Sequence, residues 1–354
     1  MNVGIVDQIA RAVLYEGYML YPYRSSSVKN KQRWNFGVLY PPAYAEAQSG
    51  ADASMSQTEC LVAGAVIPAL EVRVRFLQLV ERSIGKFATA ARDLPDGGGT
   101  GFNLVERLEI DGKAFQPGQE AVEREISLHL LYGDSLTLEP TLRQFSFPAG
   151  TQVEMLRSQD GSIHGVIVRE HKELNIGVEF VAHSHGSDLF RVTVRTKNLT
   201  PFAMADQVSR DQALASSLLS AHVVLGAKTG KFISLLEPPE DLKTQVAACN
   251  NIGTWPVLVG NADEKDTLLS SPIILYDYPQ IAPESAGDLF DGTEIDEILS
   301  LRIMTLTEDE KREMRESDDK TRQILERTEA LPPEQLMKLH GVVRALRPLK
   351  EEAS

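Results

Sequence analysis

The stretch LEVRVRF at residues 70–76 places Leu70, Val72, Val74 and Phe76 at every second position, with Glu71, Arg73 and Arg75 between them. Successive side chains of a strand point to opposite faces, so a period of two predicts a strand with one face buried and one face wet. FRVTVR at 190–195 repeats the pattern, with Phe190, Val192 and Val194 set against Arg191, Thr193 and Arg195. Between the two lie Asp111-Gly112 and Asp160-Gly161, turn dipeptides that suit tight hairpins because glycine tolerates positive φ. Several strands at short spacing favour antiparallel pairing over a parallel α/β sheet. The predicted fold is mainly β, α+β overall: an antiparallel β-sandwich core with a helical C-terminal extension.

Working outward, Pro238-Pro239 opens a short helix through Ala248, and WPVLVG at 255–260 reads as a further strand. Residues 277–293, DYPQIAPESAGDLFDGT, hold two prolines and two glycines without periodicity and mark a boundary. Beyond it Thr307, Glu308, Asp309 and Glu310 fit a capping box, and Pro332-Pro333 begins a last helix with Leu336, Leu339, Val343 and Leu346 at helical spacing. Three regions follow: an aromatic and basic segment over 1–58, the β core with short helices over 59–276, and an acidic linker with helices over 277–354.

Composition narrows the function. The chain has 354 residues, 42% hydrophobic and 24% charged, close to ordinary globular usage, which argues against wholesale disorder. No apolar run approaches the ~18 residues of a membrane span, and the first twenty residues lack the features of a secretory signal, so a cytoplasmic chain is expected. Cys60 and Cys249 make neither a disulfide framework nor a zinc module and read as small buried thiols.

Charge is unevenly distributed within a net −14. Residues 284–329 carry fifteen acids and seven bases, a net of −8, whereas residues 17–45 carry Arg24, Lys29, Lys31 and Arg33 and no acid. The same stretch is rich in rings. Stacking on nucleic acid is one use of such a pattern, but a sequence pI near 5.1 opposes a polyanionic partner. Two readings remain: a protein contact surface made by Tyr21, Tyr23, Arg24, Arg33, Trp34 and Tyr40, or rings packed on the sandwich with cations turned to the acidic tail.

Catalytic and metal patterns are thin. DGGGTG at 96–101 lacks the GK[ST] and helix of a phosphate loop and reads as a connection between strands. His183, His185 and Asp188 form the best candidate metal set, since residues two apart on a strand share a face and imidazole is a common metal ligand; His164 and His171 lie in preceding strands. The same HSHGSD also has the makeup of a polar hairpin tip. Asp288, Asp291, Glu294, Asp296 and Glu297 are explained by helix capping and the macrodipole. There is no G-x-S-x-G, HExxH, kinase or dinucleotide pattern, and no cofactor is implied.

Three long stretches resemble a bacterial protein family associated with gene clusters for nickel-iron hydrogenases and their maturation factors: LYPYRSSSVKNKQRWNFGVLYP (20–41), GTWPVLVG (253–260) and SSPIILYDYPQIAPESAGDLFDGTEIDEILSLRIMTLTEDEKREM (270–314). No catalytic or ligand residue of that family carries over. The resemblance implies a role beside a metalloenzyme. The expectation is a non-catalytic accessory or assembly protein whose partner is a hydrogenase or another redox metalloenzyme. The alternative is a metal-dependent enzyme or metal carrier using His183, His185 and Asp188; a sandwich binding carbohydrate or another small ligand is a third.

Overall fold

The computed structural model describes residues 3–16, 36–64, 69–91, 101–130, 139–186, 188–203, 205, 207–261, 263–280, 308–315, 322, 325–326 and 329–330. Strands hold 50% of the residues and helices 16%, and every strand pair is antiparallel. One sheet has the order β13 (Lys231–Phe232), β1 (Met55–Ala63), β11 (Leu189–Asn198), β10 (Leu174–Ser184) and β7 (Thr141–Phe147). The larger sheet runs β14 (Trp255–Leu258), β15 (Thr267–Ser271), β12 (Leu219–Ala227), β2 (Leu70–Ala91), β9 (Ile163–His171) and β8 (Gly150–Arg157); β6 (Gly118–Leu130) and β3 (Phe102–Leu104) also pair with β2. A separate hairpin joins β4 (Leu108–Ile110) to β5 (Lys113–Phe115) through Asp111 and Gly112, both at positive φ, as the two-residue turn requires.

The inner faces of the two sheets meet as the alternation predicts. Leu70, Val72, Val74 and Phe76 of β2 pack with Cys60 and Val62 of β1, with Ile176, Val178 and Phe180 of β10, and with Val192 and Val194 of β11. Each fully buried side chain of this size contributes on the order of 1.5–3 kcal/mol, so this interior is the main source of stability.

The opposite face of β2 departs from the expectation. Glu71 and Arg75 are buried rather than wet, because helix α1 (Val3–Glu16) lies across them. Its stripe of Val6, Ile9, Ala10 and Val13 packs on Val224, Val257, Val259, Leu269 and Leu275, and Asp7 reaches Arg73 at 3.7 Å and Arg75 at 3.5 Å. Charges at this depth need partners. Glu71 accepts from Arg73 and pairs with Lys228; burial alone would raise its carboxyl, but these two cations outweigh burial and hold it below the usual range. Helix α1 is thus a layer packed on the larger sheet.

β2 also outruns the sandwich. Its 22 residues span about 70 Å at ~3.3 Å each. The first half pairs with β12 and β6, and the second with β9 and β3. There Ile84 joins Leu108, Ile110, Leu156 and Ile167 in one small apolar cluster, and Phe87 joins Ile163, Val166 and Val168 in another. Downstream, a 3₁₀ turn at Glu240–Leu242 leads into α4 (Lys243–Ala247), following α2 (Pro42–Ala47) and α3 (Arg210–Leu214); the turn and α4 lie in the span predicted for a short helix. Of the C-terminal region, α5 (Glu308–Arg315) is described, with Arg315 paired to Glu329. The helix expected from Pro332 lies outside the described residues, as does the glycine run at 97–99. Among the described residues no helix is long and apolar enough to cross a membrane.

One buried ionisable group sets a pH limit. His222 of β12 is 1% exposed beneath α1. Its Nδ1 meets the Ser220 carbonyl oxygen at 3.0 Å, and its Nε2 has no hydrogen-bond partner among the described residues. Burial pushes the imidazole down to about 4; the Ser220 carbonyl opposes this, and the adjacent Arg75 adds to it. The folded state therefore holds this ring neutral while the unfolded chain protonates near 6.5. The contribution is full above about pH 6.5 and is lost as pH falls toward 4, by on the order of 3 kcal/mol. Urea unfolding of the wild type and His222→Gln across pH 7 to 4 should show a steeper acid loss in the wild type. Parallel curves would contradict a buried neutral His222.

Candidate interaction surface

Five of the six expected contact residues, Tyr21, Tyr23, Arg24, Arg33 and Trp34, lie outside the described residues, but both ends of their stretch are described. They converge on Ser220. Between Leu219 and His222 the pairing of β12 with β2 shifts register, and Ser220 sits in this bulge at φ +51°, a conformation a side-chain-bearing residue adopts only when its surroundings hold it. Ser220 Oγ donates to the Val13 carbonyl near the end of α1 at 3.3 Å, and Ser220 N donates to the Phe36 carbonyl at 3.1 Å. Ala221 N donates to the Gly37 carbonyl, and Leu39 and Leu218 exchange backbone bonds at 2.9 and 3.1 Å. Val13 of α1 and Phe36 are thus both tied to Ser220.

The returning segment, residues 36–40, is held by two further contacts. Gly37 has φ +56°, and a Cβ there would stand 2.5 Å from Pro272 Cβ, so only glycine fits. Asn198, buried at the end of β11, donates through Nδ2 to the Leu39 and Ser216 carbonyls at 2.9 Å each and accepts from Thr200 N. It heads an Asn-Leu-Thr triplet, but in the fold its amide is wholly engaged.

Tyr40, the sixth residue, is 2% exposed and packs with Leu14, Tyr44, Leu77, Leu79 and Leu219. Arg210 Nε donates to its hydroxyl at 2.8 Å, the guanidinium lies over the ring, and a second nitrogen pairs with Asp52. Burial raises the phenol above its ordinary range against the lowering effect of Arg210. Tyr40 is therefore corrected from a contact residue to a packing residue: its ring fills the space between α1 and β2.

The histidine set is exposed at the tip of the β10–β11 hairpin. His183 stands opposite Arg191, His185 N donates to the Leu189 carbonyl at 2.7 Å, and the Asp188 carbonyl accepts from Gly64 N. His164 is instead 3.1 Å from Ser158 Oγ, on a strand of the other sheet. Among the described residues no three His, Cys, Asp or Glu side chains gather closely enough to hold a metal ion, so His183, His185 and Asp188 form no ligand group. Cys60 is buried and Cys249 half-buried, both unpaired; burial pushes both thiols up, away from the thiolate a nucleophile needs. Asp288, Asp291, Glu294, Asp296 and Glu297 lie outside the described residues.

The chain is a mainly antiparallel β protein in which Ser220 ties together α1 and the chain at Phe36. Comparison with protein-family models, curated proteins and solved structures found no match. The anchor escaped sequence reasoning because serine has no preference for positive φ, so nothing in LLSAHVV signals a bulge.

Replacing Asn198 by Ala removes its bonds to the Leu39 and Ser216 carbonyls and leaves the buried Thr200 N–H without its acceptor, a loss of about 1–3 kcal/mol by urea unfolding. Gly37→Ala should cost about 1–3 kcal/mol through strain and overlap with Pro272. A change under ~0.5 kcal/mol in either would contradict the anchoring described.

Proposed function

We propose that this chain is an accessory or assembly protein that docks onto a partner protein and performs no chemistry of its own. The supporting observation is that the described residues on either side of the aromatic and basic stretch are fixed: Val13 before it and Phe36 after it both bond Ser220 on the central strands. Anchoring lowers the ordering entropy a contact must overcome. Its charge, opposite to that of the rest of the chain, favours an acidic partner surface and a defined orientation on encounter. The resemblance of residues 20–41, 253–260 and 270–314 to a family tied to nickel-iron hydrogenases names the candidate partner: a hydrogenase subunit or a maturation factor.

The test is capture of hydrogenase subunits and maturation factors by the full chain and by a variant with Arg24, Arg33 and Trp34 all changed to Ala, both shown to be folded by circular dichroism. Capture should fall at least about tenfold, as expected when central Arg and Trp anchors are removed. Equal capture by the folded variant would contradict the proposal.

A further inference from the structure

A second surface lies on the far side of the Gly37–Pro272 contact. β14 is the outermost described strand of the larger sheet, and its outward backbone is closed. Pro256 has no N–H, Leu258 N donates to Asp277 Oδ1 at 2.7 Å, and Tyr278 N donates to the Leu258 carbonyl at 2.7 Å. The closure is made by residues 272–278, which start beside Trp255, the partner of Ser271, and end at Leu258. Strand addition is blocked here by a proline and a backbone cover.

That cover alternates. Ile273, Leu275 and Tyr278 pack inward, while Ile274 is 71% exposed and Tyr276 87%; Trp255 at the start of β14 is 44% exposed. Single exposed apolar residues are ordinary, but these three follow one edge with their backbones fixed, and Trp and Tyr are the side chains most used as binding anchors. The far end of the stripe is acidic. Asp263 and Glu264 lie near Tyr278, and together with Asp277 they add to burial in raising its phenol; Glu264 is held in place by Asn261 N and Nδ2.

We propose that Trp255, Ile274 and Tyr276 form a docking stripe for a protein segment that carries apolar side chains among lysines or arginines, gripped through side chains and not by strand pairing. The apolar row selects the aliphatic groups, and Asp263 and Glu264 select the cations. The inference rests on the docking reading only in taking a protein as the ligand, and the residues it invokes are not among 17–35.

Trp34→Phe leaves Trp255 as the sole tryptophan of the two, which makes its fluorescence a local reporter in the full-length chain. Titration with a short peptide of leucines interspersed with lysines should give a saturable change. It should weaken about tenfold or more when serines replace the leucines, when glutamates replace the lysines, or in an Ile274→Ser, Tyr276→Ala double variant. Both substituted side chains are exposed, so the double variant should melt with the parent; if it does not, Tyr276→Ser alone serves. Equal responses to all three peptides, or undiminished binding by the folded variant, would overturn the stripe. Tighter binding after Arg24, Lys29, Lys31 and Arg33 are changed to Ser would overturn the external partner in favour of this chain's own basic stretch. A doubled sedimentation mass lost in the double variant would overturn it in favour of a second copy. Because no hydrogenase is present, failure here leaves the capture experiment unaffected.

Discussion

The bulge at Ser220 is the constraint on which the rest of the molecule depends. By taking φ +51° in the middle of a β ladder, this residue turns its own N–H and hydroxyl away from β2 and offers them to two other parts of the chain. One bond holds α1 at Val13 and the other holds the chain where it returns at Phe36. The same kink aims the Ser220 carbonyl at His222, so the bulge, the buried imidazole and the helix above them form one unit. Loss of any member exposes the others to water.

Covering the charged face of β2 follows from that unit. Glu71, Arg73 and Arg75 alternate with apolar residues as on a solvated strand, and by period alone they belong outside. They are instead compensated internally by Lys228 and Asp7, together with Glu123 and Glu125. The partners of these buried residues are themselves partly exposed, and pairs of this kind contribute little net stability. They fix which way α1 lies rather than how tightly it is held.

This explains which features were legible in the sequence. Period-two alternation located β2 and β11, and Asp111-Gly112 located a hairpin, because both depend on local sterics. The second layer was not legible, since a charged residue under a helix and one in water leave the same mark in a sequence. Nor was the stripe: Ile274 and Tyr276 point out while Leu275 and Tyr278 point in, an order decided by where Asp277 must sit to bond Leu258 and Ser234. His183, His185 and Asp188 share a hairpin tip as the spacing suggested, but among the described residues they belong to no group of three ligands close enough to hold a metal ion.

On the proposed reading, a rigid β body presents contact surfaces and acts by holding another protein. Chemical cross-linking in the source cell, followed by identification of the linked peptides by mass, addresses it most directly. The account predicts cross-links from Lys29 or Lys31 to a hydrogenase subunit or maturation factor. A chain that links to no such protein there, or whose lysines link only to its own acidic residues, would contradict it.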